Sequence, residues 1–361
     1  MKILQVINSL GAGGAEKLVV DMSAAFSKRG LKVTVLLLDG TPTSLLKKLK
    51  AHSNIEIISL EKGKSIYNPL FVFKIKKIIK EFDMVHVHLF PSSYWVAFAR
   101  CISFNKPNII FTEHNTTNRR RDKPLFKYID RWVYKQYQRI VTISDAVDTS
   151  LKHYLGTGFD HSIKIYNGIH LETFTNAKPY LKSELGFSTN DKLLIQVSSF
   201  TAQKDQKTLI KAISTLPTNY NLLLVGHGPL IEDAKLLVKQ LNLEQRVQFL
   251  GIREDVPSLL KSVDVVVLAS HYEGLSLSCI EGMASGKPFI ASNTPGLGDI
   301  VADAGLVFED KNHKALAEQI VLIIENIELR KEIIKTCQSK ASKFDINLMF
   351  NSYLKIYNNL N

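Results

Sequence analysis

Short apolar runs alternate with segments of helical periodicity along the whole chain. In the first half, Lys2–Asn8, Lys32–Leu38, Ile55–Leu60, Met84–His88, Asn108–Thr112, Ile140–Ser144 and Ser162–Tyr166 read as buried strands. Helical stretches lie between most of them. One is Gly13–Arg29, stopped by Gly30. The pattern restarts after Asn190. Leu193–Val197, Asn221–Val225, Val247–Leu250, Val263–Ala269 and Pro288–Ala291 read as strands, with helices over Asp205–Leu216, Pro229–Leu241 and Glu254–Lys261. Strands spaced this way imply βαβ units and parallel sheets. The prediction is an α/β chain of two Rossmann-like, doubly wound domains facing a central cleft. Their bounds are 1–178 and 179–344, with the polar stretch Leu171–Asn190 as linker. The tail from His313 to Asn361 reads as helical, broken near Phe344-Asp345, which leaves 345–361 as a final helix.

Charge changes this picture. The net charge is +12, but residues 1–180 hold 27 Lys and Arg against 14 Asp and Glu, and residues 181–361 hold 19 against 20. A one-sided basic half suggests an anionic partner: a membrane surface, nucleic acid or a phosphorylated substrate. Lysines solvated on an ordinary surface account for it nearly as well. No RNA-binding motif is present, so nucleic acid is not expected. No apolar stretch is long enough to span a membrane, and the apolar run Ile3–Ile7 is broken by Gln5, unlike a signal peptide. The three cysteines, Cys101, Cys279 and Cys337, are scattered, which fits a reducing cytosol.

Candidate chemistry gathers where strands end. The run Ser270–Glu281 follows the apolar strand Val263–Ala269 and opens a helix that Ser276 can cap and Gly286-Lys287-Pro288 can end. A helix N-terminus at the carboxyl end of a parallel strand suits an anion such as phosphate. Two carboxylates frame it, Glu273 and Glu281, with seven residues between them. They repel phosphate and suit hydroxyls, so a sugar and a ribose joined by a diphosphate would use the site well. Lys204, in Ser198-Ser199-Phe200-Thr201-Ala202-Gln203-Lys204, can reach a diphosphate as a point charge. Gly226-His227-Gly228-Pro229 reads as a tight turn with Pro229 at the first helical position. In the first half, Gly11, Gly13 and Gly14 lead into a helix, and Gly11 and Gly13 have dinucleotide-fingerprint spacing. Glu16 stands where the third glycine belongs, which argues against an NAD site. The Gly14 loop is expected to contact an acceptor or the donor's phosphates. His86 and His88 share one face of a strand. They could hold a metal only with a third ligand that is not evident, and strand-end polar residues are the commoner reading. His114 follows the strand Asn108–Thr112, where it can meet a sugar hydroxyl or hold its own loop. No two aspartates lie two residues apart, so there is no Asp-x-Asp to carry a divalent ion on a diphosphate.

These residues together resemble the GT-B glycosyltransferases of family 4, a retaining group that uses nucleotide-activated sugars. The resemblance covers essentially the whole chain. Its most specific part is Glu273…Glu281, supported by Gly13-Gly14-Ala15-Glu16, His114, Asn167-Gly168, Lys204, Gly226-His227-Gly228-Pro229 and Gly305-Leu306-Val307-Phe308. It implies that Glu273 and His114 contact the transferred sugar, that Lys204 binds the diphosphate, and that Glu281 binds the ribose. Backbone N–H groups near Gly274, Leu275 and Ser276, and the loops at Ser199 and Gly226, would complete the nucleotide-sugar site. It implies a metal-independent hexosyl- or N-acetylhexosaminyltransferase with no cofactor. The donor would be a UDP-sugar and the acceptor a glycan or lipid-linked sugar, in bacterial surface-polysaccharide synthesis. It also implies a final helix that returns to the first domain. Two departures stand out. Ser198-Ser199 replaces the family's usual Gly-Arg, which removes a charge-assisted bond to the diphosphate, and Asp299 replaces a usual glutamate. A sugar-nucleotide epimerase or hydrolase, or a non-catalytic sugar-nucleotide-binding protein, would use the same nucleotide site.

Two basic stretches carry a localisation expectation. Phe71, Ile75, Ile78, Ile79 and Phe82 fall on one helical face ringed by Lys74, Lys76, Lys77 and Lys80. Asn118-Arg119-Arg120-Arg121-Asp122-Lys123 precedes a helix with Trp132, Tyr134 and Tyr137. One reading is core helices with solvated lysines. The other is a patch that docks a cytoplasmic protein on the anionic inner face of the cell membrane.

Overall fold

A computed structural model describes residues 1–11, 13–115, 120–121, 123–156, 161–273 and 275–360. The strands are β1 (Lys2–Ile7), β2 (Lys32–Asp39), β3 (Ile55–Glu61), β4 (Met84–His88), β5 (Asn108–Glu113), β6 (Arg139–Thr142), β7 (Ser162–Lys164), β8 (Lys192–Val197), β9 (Tyr220–Val225), β10 (Val247–Gly251), β11 (Val265–Leu268), β12 (Phe289–Asn293) and β13 (Leu306–Glu309). They form two parallel sheets, one ordered β3-β2-β1-β4-β5-β6-β7 and the other β10-β9-β8-β11-β12-β13. Each order reverses once, between β1 and β4 and between β8 and β11. In an open parallel sheet, ligands bind outside the carboxyl ends of the strands at such a reversal. Both sheets are covered by helices, and their inner strands are buried on both faces, as parallel strands flanked by helices must be.

The chain divides into two compact units, Met1–Tyr166 with Met349–Asn361, and Asn167–Leu348. The sequence-based boundary at 178 is later than this division, for a packing reason. The segment read as a linker is folded: Leu171–Asn176 is a helix and Lys182–Leu185 a 3₁₀ turn. Phe174 and Phe187 are buried in the second unit's core with Leu193, Leu259 and Ile280.

The tail is helical with a break at Phe344-Asp345 between the helices Ile327–Ser342 and Ile346–Leu360, and with a further break at Asn326. In the first unit the last helix buries Phe350, Tyr353, Ile356 and Tyr357, a helical stripe. Phe26 meets Phe350 and Tyr357 edge-on at 5.9 and 5.5 Å. The strand β13 is absent from the periodicity reading. Two of its four residues are half-buried and one is exposed, so its apolar run is too short to stand out.

Candidate functional site

In the second unit, the loop after β8 and the loop after β11 run side by side at the sheet's reversal. Asp205 N–H donates to Ala269 O (3.0 Å), His271 N–H donates to Gln203 O (2.9 Å), and Lys204 and Ser270 pair as an antiparallel bridge. Asp205 also caps the helix Gln206–Thr215 by accepting from Thr208 N–H at 3.1 Å, which fixes the chain direction there. The end of β11 is pinned from its other neighbour by Ser292 and Thr294, whose hydroxyls donate to Ser270 O at 2.6 and 3.0 Å. This framework brings Lys204 to Glu273, sixty-nine positions later in the sequence, as a direct ion pair between nearly buried side chains. Gln203 Nε2 donates to Glu273 Oε2 (3.3 Å) and to Tyr272 O (2.8 Å).

The other candidates sit around this pair. Ser199 is exposed, with its hydroxyl 3.5 Å from that of Thr201. Its loop is held from behind: Gln206 Nε2 donates to Ser199 O (2.9 Å) and Ser198 Oγ (3.0 Å), and Gln196 Nε2 donates to Ser198 Oγ (3.0 Å). Gly226 has φ +134°, and a Cβ there would lie 2.0 Å from Ser198 O. Its small size therefore serves the approach of the β9 loop to the β8 loop. The next helix begins at Ile231, so Pro229 precedes it and does not occupy its first turn. Ser276 is at the N-cap of the helix Leu277–Ala284, but its side chain accepts no capping bond. Cys279 N–H already turns back to Ser276 O (3.1 Å), so another acceptor would have to use the N–H groups that precede it. Leu275 is half-buried and Glu281 lies mid-helix and half-buried. Gly274 lies outside the described residues. His271 Nδ1 is 2.9 Å from Asp310 Oδ1, which ties the loop to β13's end. Asp205, His271 and Asp310 are near enough to share an ion.

In the first unit the corresponding reversal lies between β1 and β4. A cavity of about 590 Å³ opens there, lined by Asn8, Tyr67, Leu89, Phe90, Phe111, Glu113, Asn115, Arg120, Lys123 and Phe126. Leu89 takes a left-handed φ of 61°, a strained state for a branched residue that surrounding bonds must hold. Asn8 supplies them. Its Nδ2 donates to Phe90 O (2.8 Å), and its Oδ1 accepts from Ser92 N–H (3.2 Å) and Oγ (2.8 Å). Gly14 opens the helix Gly14–Lys28 with no atom near where a Cβ would be. The Glu16 carboxylate folds back so closely over Gly13 that a Cβ there would be 2.1 Å from it. This helix start is therefore occupied by a carboxylate, as an NAD pyrophosphate site is not.

His114 follows β5. Its Nε2 is 3.2 Å from His88 Nδ1, and His88 Nε2 is 2.9 Å from Gln5 Oε1. His86 bridges Tyr357 Oη (2.6 Å) and Thr112 Oγ1 (2.7 Å). His86 and His88 are thus engaged in hydrogen bonds within their own unit. Burial holds both imidazoles well below their ordinary range, and desolvation pushes His114 down to about 4. All three are neutral at pH 7.

The first basic stretch is a core helix with exposed lysines, as one reading expected, while the second departs from both readings. Phe71, Ile75 and Ile79 are core residues, so that helical face is not a docking surface. Arg120 and Arg121 are nearly buried. Arg120 Nε contacts both Asp130 oxygens at 3.1 Å and its guanidinium lies 4.5 Å over the Phe90 ring; Arg121 pairs with Glu113 at 2.9 Å. Asn118, Arg119 and Asp122 lie outside the described residues. What is exposed is another stripe. Leu125 (69%), Tyr128 (70%) and Trp132 (42%) follow helical spacing on Pro124–Tyr134, with Lys123 and Lys127 beside them. Trp132 stacks on Phe98 of the neighbouring helix. Among the described residues no helix is long and apolar enough to cross a membrane.

The buried glutamines Gln5 and Gln196, and the pair Glu113 and Asp130, escaped the sequence reading. The signal for the glutamines was there: each is a polar residue inside an otherwise apolar strand.

Comparison with known proteins assigns the chain. The family model described as Glycosyl transferases group 1 matches residues 178–340, and that described as Glycosyltransferase Family 4 matches residues 12–173. The chain is 27% identical over 283 residues to N-acetyl-alpha-D-glucosaminyl L-malate synthase of Bacillus anthracis, covering 76% of this chain and 74% of that protein. It is 25% identical over 357 residues to the N-acetylgalactosamine-N,N'-diacetylbacillosaminyl-diphospho-undecaprenol 4-alpha-N-acetylgalactosaminyltransferase of Campylobacter jejuni, covering 94% of each. The crystal structure of Anabaena HepE in complex with UDP matches with a TM-score of 0.83 at 22% identity, over 99% of this chain and 100% of that one. With two family models matching consecutive stretches and a fold shared over the full length, the chain belongs to the GT-B glycosyltransferases, of the group 1 and family 4 type.

Proposed function

We propose that this protein transfers a sugar from a UDP-sugar to a lipid-linked glycan, with retention of configuration and without a metal ion. The observation that carries the reading is the Lys204–Glu273 pair at the reversal of the second sheet. A cation held against a carboxylate, next to a helix start whose cap side chain accepts no bond, supports reading Lys204 as the diphosphate contact and Glu273 as the sugar contact. The leaving diphosphate takes its stabilisation from Lys204 and from those backbone N–H groups, which act more strongly as water is excluded. Lys204 then exchanges part of its contact with Glu273 for phosphate oxygens, and Glu273 turns to a sugar hydroxyl. Glu281 serves the ribose, and Ser199 offers a hydroxyl where the family usually places an arginine. UDP in the HepE crystal and the diphospho-undecaprenol acceptor named for the Campylobacter relative support the donor and acceptor classes. The malate-linked product named for the Bacillus relative makes a small acidic acceptor the natural competitor. A lipid-linked acceptor also gives the exposed Leu125-Tyr128-Trp132 stripe a partner, an anionic bilayer surface.

The test is a panel of UDP-, GDP- and ADP-sugars assayed with lipid-linked and soluble acceptors, with and without chelator. Glu273→Ala should keep UDP affinity within a few-fold and abolish transfer. Full transfer by Glu273→Ala, or dependence on a divalent ion, would overturn the mechanism. The exposed Ser199 favours one second reading, a sugar-nucleotide-binding protein without transfer. It predicts UDP-sugar binding and no turnover with any acceptor.

A further inference from the structure

Gln5, His88 and His114 form one hydrogen-bonded line across the first sheet, and the direction of its protons can be read from its buried end. Gln5 Nε2 lies 3.5 Å from Met22 Sδ and 3.5 Å from Tyr357 Oη. A thioether only accepts, so the amide turns its NH₂ toward Met22 and its oxygen toward His88. An amide oxygen cannot donate. His88 Nε2 therefore carries a proton and gives it to Gln5 Oε1 across 2.9 Å. A neutral imidazole has one N–H, which leaves His88 Nδ1 as an acceptor. Its neighbour at 3.2 Å is His114 Nε2, which must be the donor. The reverse polarity would need the amide flipped, with its oxygen set against the Met22 sulfur.

We infer that Gln5 and His88 are positioning residues that fix the proton of His114 on Nε2 and leave His114 Nδ1 as a bare hydrogen-bond acceptor. This deepens the transfer reading, on which it rests for its catalytic meaning. His114 then receives a hydrogen bond from a sugar hydroxyl and does not act as a proton donor to the leaving group. Gln5 and His88 touch no substrate; they set the state of the residue that does.

The experiment is long-range ¹H–¹⁵N correlation on the full-length protein with ¹⁵N-labelled histidine at neutral pH, with His114 assigned by its loss in His114→Asn. The expected pattern is a single Nε2–H tautomer. His88→Phe should give mixed tautomers at His114 and lower kcat about tenfold, the worth of one oriented hydrogen bond, with the donor KM little changed. His88→Gln supplies both an acceptor and a donor and should restore the tautomer and most of the rate. An Nδ1–H pattern in the unaltered protein, or an unchanged tautomer in folded His88→Phe, would overturn the proposal. If His88→Phe does not fold, Gln5→Met breaks the outer link with His88 in place and must produce the same mixture. If no nucleotide sugar is turned over, the transfer reading fails while the tautomer result still decides the relay.

Discussion

Asp130 is fully buried, and donors from three residues surround it. Both its oxygens meet Arg120 Nε, and the hydroxyls of Tyr94 and Tyr154 donate to it at 2.5 and 2.9 Å. A carboxylate taken out of water this completely is stable only while its partners remain. Asp130→Ala takes from Arg120, in the wall of the first unit's cavity, the carboxylate that its Nε meets on both oxygens. The expected loss is about 3–5 kcal/mol of stability, read from denaturant midpoints. A loss below about 1 kcal/mol would mean water reaches the site. Arg120 and Arg121 show what single residues reveal in a sequence. A basic cluster looks solvated because most are. What reverses it is two acids, Glu113 and Asp130, supplied by a strand end and a helix, and no linear spacing announces that pairing. Lys204 and Glu273 were legible for the opposite reason. Both lie just beyond strand ends, and parallel topology sends such loops to one edge of the sheet.

At the scale of elements, apolar strands were easy to find and helix faces were not. A strand buried on both sides declares itself by composition, whereas a helix of mixed aromatic and basic residues fits two surfaces at once. Lysine-flanked Phe71, Ile75 and Ile79 proved to be core, and the helix Pro124–Tyr134 presents its apolar stripe outward. Loop Phe104, 99% exposed, lies 6.0 Å from Lys76, which adds an aromatic beside a cation. Aromatic tips with adjacent lysines suit the headgroup region of an anionic bilayer, where each lysine contributes about 1 kcal/mol. Co-sedimentation with phosphatidylglycerol-containing vesicles should therefore be strong at low salt and weaker at high salt. Leu125→Ser with Tyr128→Ser and Trp132→Ser should reduce it at least tenfold while turnover of a soluble acceptor persists. Equal binding by the triple variant would rule out this stripe as the docking surface.

On the scale of the whole molecule, the second sheet repeats the order of the first six strands of the first, and the candidate residues of each gather at its own reversal. Periodicity could supply the strands but not their order, because β1 and β4 become neighbours only through crossovers. The same long-range assembly creates the histidine line, since β1, β4, β5 and the last helix each contribute to it. That line gives the first unit a definite response to pH. Its two imidazoles, and that of His86 packed beside His88, are held neutral below their ordinary pKa of about 6.5, His114 down to about 4. Once unfolded, each takes up a proton as pH falls through about 6.5, while the folded protein refuses it. Their stabilisation is therefore complete above about pH 6.5 and is lost on acidification, until the folded groups also titrate. The limiting slope is about 1.4 kcal/mol per pH unit for each histidine, about 4 for three. Both tryptophans, Trp95 and Trp132, belong to the first unit, so their fluorescence follows its unfolding. Denaturant midpoints measured this way should be level from pH 7.5 to about 7 and then fall steeply toward pH 5. His114→Asn should remove about a third of that slope without changing its onset. A profile flat down to pH 5 would show that protons enter the line without unfolding, and that its histidines are less isolated from water than their burial implies.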